Sequence, residues 1–354
     1  MTTLFTPIRI GALELPNRIW MAPLTRCRAT ADHIPTPLMA THYAQRASAG
    51  LLIAEATMVA EGNSAFIREP GIHNEAQVEA WRLVTEAVHR AGGRIVLQIW
   101  HGGRACHSLL NGGNQPVAPS PLAISGDEIH TPEGKQPYEV PRELSDAEIP
   151  AIVAAFQQAA DRAVRAGFDG VEIHGANGYL LDQFLRDGSN RRSAPYGGSI
   201  ANRARLLLEV LAAVRRSCPV VGLRLSPLNS FNAMVDSDPL GLACWLAEHL
   251  NDQGLAYLHV MRADMAGLQT GDLLTPMRER FGGVLVANMG YDPSEAEAVV
   301  AAGAVDAVAF GRAFIANPDL PERIARGATL ASPDPGSFYT PGSEGYTDYQ
   351  ALQS

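Results

Sequence analysis

The feature that most constrains this chain is a rhythm. Eight short apolar runs, rich in β-branched residues, alternate with longer stretches of helical period; the runs cover 19–25, 51–57, 95–100, 170–174, 220–226, 257–261, 284–289 and 307–311. Runs that are apolar on both faces need cover on both sides, which suits a buried parallel sheet. The clearest intervening helix begins at Ser145, which has capping-box spacing to Glu148, and carries Ile149, Ile152, Val153, Phe156, Ala160 and Ala163 on one face until Gly167 ends it. Segments 202–217 and 292–302 read the same way, the second opening on Asp292-Pro293 and closing at Gly303. Eight such units without a break predict an α/β fold, a single closed (β/α)8 TIM barrel, because open doubly wound sheets more often stop at five or six strands. All 354 residues fit one such domain.

Three segments fall outside the rhythm. Residues 1–18 hold two extended pieces around Gly11, the pattern of a hairpin that plugs the bottom of the barrel. Residues 102–144, after the third strand, are rich in Gly, Pro, Asn and Ser; an insertion that long is either a functional lid or disordered. The tail, 331–354, has a linker's composition, yet Phe338, Tyr339, Tyr346 and Tyr349 predict that it packs near the site.

Charge narrows the partners. Acidic side chains outnumber basic ones 37 to 28, a net charge of -9, which repels phosphate backbones and anionic headgroups. Neither nucleic acid nor a membrane is expected; a small molecule is. Arg9, Glu14 and Arg18 break any leader-like apolar core near the start, and no run of 18 apolar residues follows, so a cytoplasmic protein is expected. Cys27, Cys106, Cys218 and Cys244 are scattered without a Cys-x-x-Cys pair, so reduced thiols are expected.

Barrel chemistry sits at the C-terminal ends of the strands. Those ends are polar here: Pro23-Leu24-Thr25, Glu55-Ala56-Thr57, Gln98-Ile99-Trp100-His101, His174 through Tyr179, Arg224-Leu225-Ser226, Asn288-Met289-Gly290 and Gly311-Arg312. The loops after the seventh and eighth strands commonly bind phosphate, and Gly290, Gly311 and Arg312 offer backbone N–H groups and a charge there. Arg224, between two leucines in a strand, must pair or meet a ligand, since an unpaired buried charge is costly. His174 and Asn177 admit three readings: a metal pair, a satisfied structural pair, or an oxyanion-binding pair. No carboxylate or second His stands at ligand spacing on neighbouring strand ends, which argues against metal. With Tyr179, the two supply neutral hydrogen-bond donors and a weak acid, the set that polarises a carbonyl and protonates the adjacent carbon. His101 and His107, beside the insertion, read as supporting or surface histidines.

Taken in order, LFTPIRIG, PNRIWMAPLTR, IPTPLMATHYAQRASAGLLIAEAT, GRIVLQIWHGGR, AGFDGVEIHGANGYLLDQFL, SNRRSAPYGGSIANRARLLLEV, DAVAFGRAFIANPDL and FYTPGSEGYTDY resemble the old yellow enzyme family of flavin-dependent ene-reductases from Leu4 to Tyr349. The likeness is greatest to the bacterial branch that includes N-ethylmaleimide reductase and pentaerythritol tetranitrate reductase. The resemblance implies a TIM barrel holding FMN non-covalently, reduced by NADPH or NADH and reoxidised by activated alkenes: α,β-unsaturated carbonyls, maleimides and nitro compounds. It assigns Thr25 to the flavin carbonyl O4, Gln98 and Arg224 to the pyrimidine edge, backbone at Pro23, Leu24 and Ala56 to the ring, and Gly290, Gly311 and Arg312 to the phosphate. His174 and Asn177 become the substrate anchor, which also takes phenols; Tyr179 becomes the proton donor, and Phe66, Trp100 and Tyr339 line the substrate side. A monomer or homodimer is implied.

Two departures stand out. Many bacterial relatives have His where this chain has Asn177, which bears on substrate preference, and Tyr where it has Phe66, which makes the pocket drier. Two rivals remain at this stage. A flavin-free phosphate-binding aldolase or isomerase would need a Schiff-base Lys or a carboxylate base at a strand end, and the one Lys, Lys135, lies in the insertion. A flavin-binding protein without turnover is the other.

Overall fold

The computed structural model describes residues 2–352. A hairpin, β1 (Ile8–Ile10) and β2 (Leu13–Leu15), opens the chain. The barrel strands are β3 (Ile19–Met21), β4 (Leu52–Met58) and β5 (Ile95–Trp100), then, beyond the insertion, β10 (Gly170–Gly175), β11 (Val221–Leu225), β12 (Tyr257–Met261), β13 (Leu285–Asn288) and β14 (Ala307–Phe310). They close in chain order, β14 returning to β3 in parallel register. The insertion carries β6 (Val117–Ala118) paired with β9 (Arg142–Glu143), and a hairpin of β7 (Glu128–Thr131) and β8 (Gly134–Pro137), so it is built rather than irregular throughout.

The first strand stops at Met21, four residues short of the sequence reading. Ala22 N–H still reaches Phe310 O at 3.0 Å, but Pro23 has no N–H to continue a ladder. The helix expected from Ser145 starts at Ile149 instead. Ser145 and Glu148 do bond reciprocally, Ser145 N–H to Glu148 Oε2 at 2.8 Å and Glu148 N–H to Ser145 O at 3.0 Å, yet they form a turn ahead of the helix rather than its first turn. The other two helices run Ile200–Ser217 and Pro293–Ala301, capped by the Ser199 and Asp292 side chains.

Three apolar zones divide the interior, one of them at the mouth. Ile8, Ile10 and Leu15 of the hairpin pack with Trp20, Leu51, Ile53, Val96, Val220, Tyr257 and Val286, closing the N-terminal end of the barrel. The largest core lies between strands and helices. With its bottom filled, the barrel opens only at the C-terminal ends of its strands. Among the described residues no helix is long and apolar enough to cross a membrane.

Candidate active site

The floor of the mouth is a buried polar layer on five adjacent strands, β5 and β10 to β13. Gln98 on β5 donates from Nε2 to Glu172 Oε1 on β10 at 2.8 Å, and the other Glu172 oxygen lies 2.9 Å from His259 Nδ1 on β12. Burial, only partly opposed by Glu172, holds His259 below its ordinary pKa, so it donates as a neutral imidazole. Arg224 on β11 donates from Nη2 to Asn288 Oδ1 at 2.9 Å, and Asn288 is oriented in turn by its Nδ2, which donates to Ala309 O at 2.7 Å. Arg224 Nε is buried with no partner among the described residues. Burial lowers the Arg224 pKa and the Glu172 carboxylate acts against that. Gln98 and Arg224, chosen from sequence, therefore sit together with Asn288, a polar strand end of the same reading; Glu172 and His259, which help order them, carry no role in that reading.

Above this layer the aromatic groups converge. Trp100 and Tyr179 pack edge to face with ring centres 4.4 Å apart, and His174 and Tyr179 do so at 5.0 Å. Phe66 lies 6.0 Å from Trp100 and stacks on Tyr339 at 6.2 Å. Ala56 joins the Trp100 and Tyr179 cluster because β4 shifts register against β5 between Ala54 and Thr57, a bulge that re-aims the strand end. Phe231 and Tyr138, the latter from the insertion, pack on the same cluster; neither has a periodic signal in sequence.

The protonation states are set by the surroundings. His174 Nδ1 accepts Ala176 N–H at 3.3 Å, which leaves the proton on Nε2. Burial first, then Arg224 and His259, push its pKa well below the usual value, so His174 is a neutral donor. Burial likewise drives the Tyr179 phenol well above its usual range, so it keeps its proton at neutral pH. Asn177 adopts φ +58 and accepts from Asn229 Nδ2 through its own Oδ1 at 2.9 Å, so its amide N–H2 is the free end.

At the other side of the mouth lie Gly290, with φ +72, and Gly311, which precedes the short helix Arg312–Ala316. Arg312 is exposed. The sequence reading missed Arg262, one residue past β12: its guanidinium lies 3.6 Å above the Tyr291 ring, its Nε donates to Met289 O at 2.8 Å, and Glu295 binds both its Nη atoms. Pro23 is buried while Leu24 and Thr25 are half-buried on the loop after β3.

The tail is fastened by two buried arginines. Arg26 donates to Phe338 O and Gly345 O at 2.9 and 2.7 Å, and Arg28 to Phe338 O and Ser337 O at 2.8 and 3.0 Å. Both guanidinium groups also lie over the Tyr346 ring. These bonds fix the turn that carries Tyr339 to Phe66. His101 and His107, read as supporting or surface groups, are both buried and accept backbone N–H bonds from Gly103 and Leu109.

The sequence pattern of the NADH:flavin oxidoreductase / NADH oxidase family matches residues 3–331. A "probable flavin mononucleotide-dependent alkene reductase" of Leishmania infantum is 47% identical over 357 residues, covering 97% of this chain and 96% of that protein. Among solved structures, morphinone reductase in complex with tetrahydroNAD superposes with a TM-score of 0.95 at 47% identity, covering 100% of this chain and 98% of that one. TcOYE with pHBA gives 0.95 at 44% identity over 99% of each chain.

Proposed function

The chain belongs to the NADH:flavin oxidoreductase / NADH oxidase family, and from that premise we propose how its residues serve an FMN-dependent, NAD(P)H-consuming reductase of activated C=C bonds. The residues present fit FMN on their own geometry. Arg224 is a buried cation with an unspent Nε, and Gln98 has an amide oxygen that accepts nothing among the described residues. A Cβ at Gly311 or Gly290 would meet nothing closer than 3.5 or 3.9 Å, so both backbones stand open to a ligand. Gln98, Arg224 and Thr25 would hold the isoalloxazine edge, Pro23, Leu24 and Ala56 its ring, and Gly290, Gly311 and Arg312, with Arg262 beside them, the phosphate. When bound, FMN supplies the hydride exchange between nicotinamide and alkene.

The chain's own groups do the rest. His174 Nε2–H and the Asn177 amide donate to the carbonyl oxygen of the substrate, and such bonds strengthen as negative charge accumulates there. Tyr179 holds a proton for the α-carbon. Buried Trp100, with half-buried Phe66 and exposed Tyr339 at the rim, lines the substrate side. The observation that carries this reading is the pairing of two neutral N–H donors with a buried, protonated phenol. The same anchor takes phenols as phenolates. The setting of this reading is the cytoplasm, for a monomer or homodimer.

Purified holoprotein should release FMN on heating, oxidise NADPH or NADH, and turn over with 2-cyclohexenone. Release of FAD, or no flavin bound after reconstitution, rules the assignment out; FMN binding without turnover favours a flavin-binding protein.

A further inference from the structure

We propose that Asn229 is the positioning residue of the substrate anchor: it holds the Asn177 amide so that its N–H2 end, and not its carbonyl, faces the mouth of the barrel. The inference rests on reading Asn177 as a donor to the substrate oxygen.

An amide carries a donor end and an acceptor end of nearly equal size, so an Asn by itself can present either. In this chain a relay decides. Met265 N–H donates to Asn229 Oδ1 at 3.2 Å, and Phe231 N–H approaches the same oxygen at 3.5 Å. A backbone N–H can only donate, so this end of Asn229 must be its oxygen. Asn229 Nδ2 is then turned to Asn177 Oδ1, 2.9 Å away. Once Oδ1 is spent, Nδ2 is what Asn177 has left, and it donates to nothing among the described residues. The backbone beneath is pinned as well: Asn177 N–H donates to Ser226 Oγ at 2.8 Å, and Asn177 O accepts Asn232 Nδ2 at 2.8 Å. Asn229 is 1% exposed, so water does not compete for the relay.

The consequence is selectivity by polarity. The anchor takes ligands whose oxygen only accepts, such as an enone carbonyl, a nitro group or a phenolate. It rejects ligands that must donate at that point, because two N–H groups would face a third.

Asn229→Asp tests this with an almost isosteric change. The new carboxylate still accepts Met265 N–H but offers a second acceptor to Asn177, which must turn Nδ2 inward and point its carbonyl at the ligand. The probe is 4-chlorophenol, titrated into the FMN-loaded enzyme and followed by its long-wavelength charge-transfer band. Asn229→Asp should weaken binding by about 10- to 100-fold, as expected when a polar ligand atom meets an unmatched partner, and should raise the apparent pKa of the bound phenol. Asn229→Ala removes the clamp without reversing it and should cost less, about 3- to 10-fold; it carries the test if the Asn229→Asp variant does not load FMN. When Asn177→His is already present, the new carboxylate favours the protonated ring, and an imidazolium donates one N–H to the carboxylate and the other to the ligand, so adding Asn229→Asp should then weaken phenol binding by less than about 2-fold. Unchanged binding in both Asn229 variants, or an equal loss with and without Asn177→His, overturns the relay and leaves Asn229 a structural residue. A wild-type holoenzyme that shows no band with 4-chlorophenol overturns the anchor itself, and the relay with it.

Discussion

Replacing Glu172 separates the two things its carboxylate does in the barrel floor: it accepts hydrogen bonds from Gln98 and His259, and it offsets the charge of Arg224. Glu172 pairs in register with Gly222, two residues below Arg224, which places the two side chains' origins on the order of 8 Å apart by strand geometry. If the charged ends are separated by about as much as the origins, an effective dielectric near 20 makes the attraction on the order of 2 kcal/mol. Glu172→Gln should lose about that much and no more, because Gln can accept from Gln98 and donate to His259 once the imidazole shifts its proton to Nε2. Glu172→Leu should lose the same attraction and also orphan two buried donors at about 1–3 kcal/mol each, roughly 4–6 kcal/mol in all after some apolar gain. With an unfolding entropy near 2.1 cal/mol/K per residue, about 0.7 kcal/mol/K for this chain, the expected drops in Tm are ~3 °C for Gln and ~6–8 °C for Leu. Calorimetry of the apoprotein reads both. Equal drops for the two variants would refute the claim that acceptor bonds order this layer, and a Gln variant as stable as wild type would refute the charge balance.

Three further outcomes follow from the site. Tyr179→Phe should slow alkene reduction by about 10²- to 10⁴-fold while leaving flavin reduction by NADPH nearly unchanged in stopped-flow traces, since the proton serves only the second half-reaction; equal slowing of both halves counts against the role. Arg312→Ala should weaken FMN by about 10- to 100-fold, the worth of a hydrogen bond to a charged group, and leave riboflavin affinity alone; parallel losses for both flavins would place the phosphate elsewhere. Burial raises the Glu55 carboxyl to about 7 from an unfolded value of 4.5, so between those pH values the folded state binds more protons than the unfolded one. Its contribution makes stability fall by about 3 kcal/mol as pH rises from 4.5 to 7, and Glu55→Gln should flatten that slope in Tm measured across pH 4.5 to 8; an unaltered slope would mean that Glu55 ionises normally.

Much of this was legible before any coordinates, for physical reasons that also mark the limit. Strands buried on both faces announce themselves as apolar runs, and β5 and β12 match the sequence reading at both ends. The break after Met21 was legible too, in Pro23, and went unused. Arg224 stood out as a charge in an apolar strand. The same reasoning applies to Glu172, two residues before His174 and on the same face of β10, and would have paired it with a neighbouring strand. Asn229 and Arg262 are different. Each lies in a loop beyond a strand end, where no period constrains direction, and each is oriented in part by a backbone atom, Met265 N–H or Met289 O, that only the fold brings near. Tyr138 is a third such case, delivered to Tyr179 by an insertion whose path composition does not reveal.

The electrostatics of the mouth bear on why the proposed function gives the acid and the anchor to separate residues. A protonated His174 would set a second cation beside Arg224, and burial makes that costlier still, so both effects keep it neutral. A neutral imidazole with its lone pair on Ala176 N–H has one proton to share and none to lose, so it stabilises charge on the substrate oxygen without quenching it. Asn177, an amide, is bound by the same limit. Were either group an acid of ordinary strength, it could protonate the oxygen and leave the product as the enol. Because neither is, the proposed mechanism keeps the charge on oxygen and takes the proton from a group placed at carbon, the role it gives to Tyr179, the buried phenol whose ring meets both Trp100 and His174 edge on.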